Sequence, residues 1–140
     1  MLNEADDDTV DWSTFASVRA ELGANFVRIL GYFEEDGEKS VARIEAAMHA
    51  RDAAAMVLPA HTMKSEARQF GAMPLAMLAE EIEASARQGV EIRMFPDQIL
   101  PQVAQLRPLY RRTMALLQQR ANPLQTRRAP IAAGAFGRRG

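Results

Sequence analysis

One stretch of this 140-residue chain combines residue types able to do chemistry: Ala60-His61-Thr62-Met63-Lys64-Ser65-Glu66-Ala67-Arg68-Gln69-Phe70-Gly71-Ala72. It holds one of the two histidines in the sequence, with a lysine three positions on and an arginine seven positions on. Residues three, four and seven apart lie over one another on an α-helix, so His61, Lys64 and Arg68 share a face. A neutral imidazole is a good nucleophile, and near neutral pH an unperturbed ring is mostly neutral. Two fixed positive charges beside it favour the neutral ring by like-charge repulsion and then favour an anionic product on it. That combination suits a group that accepts, holds and releases a phosphoryl anion.

The helical wheel separates this set from the core. With Val57 as zero and about 100° per residue, His61 falls near +40°, Lys64 near −20° and Arg68 near +20°. Met56, Ala60, Met63, Ala67 and Phe70 cluster between about −60° and −140° on the same wheel. The apolar stripe therefore points one way and the His-Lys-Arg set largely another. A core histidine would fall inside the stripe.

The elements that must position this face are helical. Apolar residues recur with the helical period along the chain, and alternating Val-Ile-Thr runs bounded by turns are missing. Five helices are predicted. The first covers about 11–21, capped by Asp11 or Ser13, with Trp12, Phe15, Val18 and Leu22 inward. The second covers about 24–50 and is read as continuous, because its stripe resumes in phase after Gly37. The third covers about 52–70, with Asp52 as N-cap, Gly71 as terminator, and Pro59 either kinking it or lying near its effective start. Pro74 opens a fourth helix running to about Gln88 and Gly89. After a loop over 89–96, a fifth helix covers about 97–119, kinked at Pro108. These amphipathic helices predict an all-α fold: an antiparallel four-helix bundle with a short extra N-terminal helix at one end.

Length and composition agree with a single globular domain: 48% of residues are apolar and 25% charged. The absence of cysteine excludes disulfides, thiolate metal sites and a cysteine nucleophile. No apolar run reaches the roughly 18 residues of a membrane span. The acidic opening Met1-Leu2-Asn3-Glu4-Ala5-Asp6-Asp7-Asp8 is the reverse of a secretory signal, and a cytoplasmic location is expected. The net charge of −1 hides an asymmetry, with 9 basic and 18 acidic residues in 1–97 but 8 arginines and no acid in 98–140. The expected organisation is an acidic lead over 1–10, a bundle over 11–119 and a flexible Arg-rich tail over 120–140. The tail has little aromatic interleaving, which argues against a nucleic-acid partner.

The motif now resembles a known family. His-x-x-Lys at 61–64, Phe70-Gly71-Ala72, and the helix with Leu75, Leu78, Ala79, Ile82 and Glu83 resemble the histidine-containing phosphotransfer (HPt) domain of bacterial phosphorelays. The resemblance covers about residues 11–118. It implies that His61 is the phospho-acceptor and that Lys64 steadies the phosphoryl group. Glu83 stands where many members place a glutamine or glutamate near the imidazole, and Arg87, one turn further, adds positive charge. Met63 replaces the usual leucine, a swap that conserves volume. Ser65 departs more clearly, standing where the family usually has glycine, and bears on partner choice.

The resemblance further implies partners and cofactors. The phosphoryl group would come from a receiver-domain aspartate or a hybrid or classical histidine kinase, and go to another receiver-domain aspartate. Mg²⁺ would sit on the partner receiver, with no cofactor on this chain. No Gly-rich phosphate loop is present, so autokinase activity is not expected. A monomer is expected. The alternative is a docking or inhibitory module that binds a receiver or kinase without transferring phosphate. Met48, Met56, Met63, Met73 and Met77 read as core filler, and His49 as a histidine near a helix C-terminus.

Overall fold

The computed structural model describes residues 8–122. Five α-helices order them: α1 (Trp12–Leu22), α2 (Phe26–Ala50), α3 (Ala53–Gln69), α4 (Met73–Ile92) and α5 (Leu100–Ala121), with single 3₁₀ turns at Gly23–Asn25 and Asp97–Ile99. Successive helices from α2 to α5 pack side by side and α5 closes the ring against α2, giving a four-helix bundle. The short α1 packs on α2 and α3. No strand occurs among the described residues. The expected Arg-rich tail lies, beyond Asn122, outside the described residues. Of the expected acidic lead, Thr9 and Val10 are buried.

Capping follows the sequence closely. The Asp11 carboxylate accepts from the backbone N–H groups of Ser13 and Thr14, and Asp52 accepts from that of Ala55, so two of the free donors at the start of α1 and one at the start of α3 are satisfied. Gly71 takes φ of 80° after α3, and the Ala72 N–H reaches back to the Ala67 carbonyl at 2.8 Å. A side chain at Gly71 would meet the Asp11 carbonyl oxygen at 2.6 Å, and the Asp11 N–H donates to the Gly71 carbonyl. The α3–α4 turn is thereby locked to the start of α1. Arg51 and Arg93 end α2 and α4 in the same left-handed conformation without being glycine.

Two boundaries differ from the sequence reading, the end of α4 and the start of α5. α2 is continuous through Gly37, as its periodicity requires, and Pro59 lies well inside α3, buried. α4 runs three residues beyond Gly89 to Ile92, so the connection to α5 is shorter than the expected 89–96 loop. Gly89 is buried and a Cβ there would stand 2.8 Å from the Met94 carbonyl and from Pro96, so it serves close packing and does not terminate the helix. The fifth helix starts as a 3₁₀ turn and continues through Pro108 to Ala121.

The core is one cluster. Met56, Ala60, Met63, Ala67 and Phe70, the predicted stripe of α3, are all buried. An aromatic chain runs through it from Trp12 to Phe15, Phe26, Phe70, Phe33 and Tyr110, with centroids 5.1 to 6.2 Å apart and Phe33 stacked on Phe70. Trp12 sits at the bundle end under the Arg120 guanidinium. The methionines divide: Met56 and Met63 are core, while Met73 and Met77 are exposed on α4, against the expectation that they fill the interior.

Candidate functional site

α3 presents Leu58, His61, Ser65 and Arg68 on one exposed stripe, spaced by three and four residues. α4 presents Met73, Met77, Glu80, Ala84 and Arg87 with the same spacing. The two stripes run antiparallel and side by side: Arg68 meets Glu80, whereas His61 and Lys64 meet Glu83 further along α4. His61 stands near the middle of this two-helix face with its side chain 49% exposed. His61 lies outside the buried apolar stripe of α3, as the helical period requires.

Glu83 organises the site. It is buried, with 4% relative exposure, in the groove between α3 and α4. Its Oε2 lies 3.0 Å from His61 Nδ1 and accepts from Arg87 Nε and Nη2 at 3.0 and 2.8 Å. Its Oε1 is matched by Lys64 Nζ at 2.7 Å. Burial pushes the Glu83 carboxyl up, but the ion pair with Lys64 and hydrogen bonds from Arg87 and His61 outweigh burial and hold it at about 2. Near neutral pH the group is an ionised carboxylate and can only accept. The hydrogen bond to the imidazole must therefore use an Nδ1–H, which leaves the lone pair of the neutral ring on Nε2, away from Glu83.

This corrects one element of the sequence reading. The charge against the imidazole is the Glu83 carboxylate, not a pair of cations. Lys64 and Arg87 do converge on the site, but through Glu83. Arg68 is separate: its Nη2 donates to Glu80 Oε1 at 2.8 Å, and both side chains are about half exposed. The wheel angle that grouped Arg68 with His61 describes α3 in isolation. It carries no information about Glu80, which the neighbouring helix brings within reach of Arg68.

The other histidine, His49, lies in the last turn of α2. Among the described residues no group of three or more His, Cys, Asp or Glu could hold a metal ion. Sequence reasoning did not find Asp36 on α2 facing Glu66 on α3. Burial, and then the hydrogen bond and charge of Asp36, push Glu66 up to about 8. No local pattern marks this pair, because its members are thirty residues apart.

The structure is similar to that of histidine-containing phosphotransfer protein B (HptB) from Pseudomonas aeruginosa PAO1, with a TM-score of 0.73 and 25% identity over 81% of this chain and 95% of that one. No curated protein matches the chain. The family model for the Hpt domain matches residues 28–122, a span that reaches through all four bundle helices and the groove holding His61 and Glu83. The chain belongs to the Hpt domain family.

Proposed function

We propose that His61 accepts a phosphoryl group on Nε2 from a receiver-domain aspartyl phosphate or a histidine kinase, and passes it to another receiver-domain aspartate. Family membership supports a histidine-phosphotransfer role. The observation that carries the assignment to His61 is its pairing, while half exposed, with a buried and ionised carboxylate at Nδ1.

The geometry suggests each part. The Nε2 lone pair attacks phosphorus, the N–P bond forms as the acyl O–P bond of the donor breaks, and the carboxylate stays on the donor. No proton has to move, since Nε2 carries none. The ring gains a positive charge, and Glu83, already hydrogen-bonded at Nδ1, offsets it in place. Lys64 Nζ has three N–H donors, so its contact with Glu83 leaves others for phosphoryl oxygens. Transfer through a loose in-line transition state needs chiefly positioning and electrostatics. Leu58, 69% exposed and three residues before His61 on α3, and Met77, 60% exposed and three residues before Glu80 on α4, supply apolar area on the same face for a receiver to dock against. Mg²⁺ belongs to that receiver.

The test mixes the full chain with phosphorylated receiver domains of the source organism and follows the label. Acid-labile phosphate is expected on the wild type and none on His61→Gln. Normal uptake by His61→Gln overturns the assignment. Tight receiver binding with no transfer from any receiver makes the chain a docking module instead.

A further inference from the structure

Ser65 follows His61 by one helical turn on α3 and is exposed. The Cα–Cβ bonds of a helix lean toward its N-terminus, so a side chain at i+4 leans over the one at i, with Cβ atoms about 5–6 Å apart. The Ser65 hydroxyl makes no side-chain hydrogen bond among the described residues. Helical hydroxyls often turn back onto the preceding turn, as Thr113 does in donating to the Leu109 carbonyl at 2.7 Å. Ser65 does not, and its donor is uncommitted.

The charged groups nearby are each engaged by a carboxylate, with only part of their donors left over. Lys64 holds Glu83 Oε1, Arg87 holds Oε2 through two nitrogens, and Arg68 holds Glu80. With a neutral ring, His61, Lys64, Arg87 and Glu83 together carry a single net positive charge. A phosphoryl group on His61 brings between one and two negative charges and three acceptor oxygens. Glu83 holds Nδ1, so a phosphoryl group is carried on Nε2, the ring nitrogen that Glu83 does not hold, and His61 shares its exposed stripe with Ser65 one turn on.

We infer that Ser65 is a positioning residue for the phosphohistidine, its Oγ–H donating to a phosphoryl oxygen on His61 Nε2. The inference rests on the reading of His61 as the acceptor. A hydrogen bond made fully in the phosphorylated ground state, and no tighter as the P–N bond loosens, slows loss of the group to water. Ser65 thus sets how long the phosphoryl group persists between partners.

The full chain is loaded with phosphoramidate, a small-molecule phosphoryl donor, so no receiver enters the measurement. Phosphohistidine is followed by ³¹P NMR in the wild type, Ser65→Ala, Ser65→Thr and a His61→Gln control. Ser65→Ala is expected to lose phosphate about threefold to tenfold faster, the effect of one partly solvated hydrogen bond to a charged group, with a displaced ³¹P resonance. Ser65→Thr, which keeps the hydroxyl, is expected within about twofold of wild type by the same reasoning. Unchanged decay and resonance in Ser65→Ala overturn the role of Ser65 and leave that of His61 intact. Equal acceleration in the Ala and Thr variants also overturns it, since the hydroxyl would then not be the cause. Wild type that takes up no more phosphate than His61→Gln removes the His61 reading, and Ser65 with it.

Discussion

Glu83 and His61, on neighbouring helices, meet through Oε2 and Nδ1 at 3.0 Å, and the carboxylate is buried while the imidazole is half exposed. The pair therefore orients a solvent-facing nucleophile from a protected anchor. Replacing the anchor separates its hydrogen bond from its charge. Glu83→Gln retains an acceptor oxygen for Nδ1–H but loses the charge that offsets the cationic ring. Phosphoryl uptake from a receiver is expected to slow about tenfold, a barrier increase of about 1.4 kcal/mol. Glu83→Ala, which also releases the tautomer, is expected to be slower still. Single-turnover labelling checks the order.

The same carboxylate links stability to acid. Its value falls from 4.5 to about 2 on folding. The unfolded chain binds more protons between those values, so the stabilisation is complete above the unfolded value and disappears as pH falls through about 2. Urea titrations at several pH values are expected to show up to about 3 kcal/mol of acid-sensitive stability in wild type that is missing from Glu83→Gln.

Glu66 behaves in the opposite sense. Burial and Asp36 raise its carboxyl to about 8, so between 4.5 and about 8 the folded chain binds the extra proton and stability declines as pH rises. Glu66→Gln removes the ionisation. Its advantage over wild type is expected to be negligible near pH 4 and to grow to about 1–2 kcal/mol at pH 8, a value discounted for the solvent that still reaches the side chain. Thermal unfolding across that range is the measurement.

Lys64 and Arg68 look alike in the sequence and are expected to differ in the protein. Lys64 is mostly buried, at 17% side-chain exposure, and neutralises Glu83. Lys64→Ala should lower both stability and phosphoryl uptake, with a loss of uptake on the order of tenfold. Arg68→Ala breaks an exposed pair with Glu80, worth at most about 1 kcal/mol, and is expected to leave loading by phosphoramidate within about twofold of wild type. Loading rates and denaturation midpoints for the two variants settle the contrast.

Two glycines of α2 make a second such contrast. A Cβ at Gly31 meets nothing within 4 Å, so Gly31→Ala is expected to stabilise by about 0.5–1 kcal/mol through helix propensity. A Cβ at Gly37 would stand 2.7 and 2.8 Å from Tyr110 Cζ and Oη, and the Tyr110 hydroxyl donates to the Glu34 carbonyl at 2.7 Å. Gly37→Ala is expected to destabilise by about 1–3 kcal/mol as the ring is displaced. Paired denaturation curves test both signs.

The amino-acid sequence by itself determined the helices, the core stripe of α3, the caps at Asp11 and Asp52, and the position of His61 outside the apolar face. All of these follow from a period of about 3.6 residues and from chemistry within a few positions of a helix end. The resemblance at 61–64 and 70–83 added Glu83 and Arg87 as candidates. Only the tertiary structure decided what those groups do to one another. The register of α4 against α3, locked by the turn at Gly71 and its contact with Asp11, places Glu83 between His61 and Lys64 and sends Arg68 to Glu80. The packing of α2 against α3 and α5 likewise sets Asp36 beside Glu66 and Gly37 under Tyr110. Periodicity assigns a face to each helix, but the partner across that face depends on how far one helix slides along the next, and a displacement of one turn would rearrange every charge in the site.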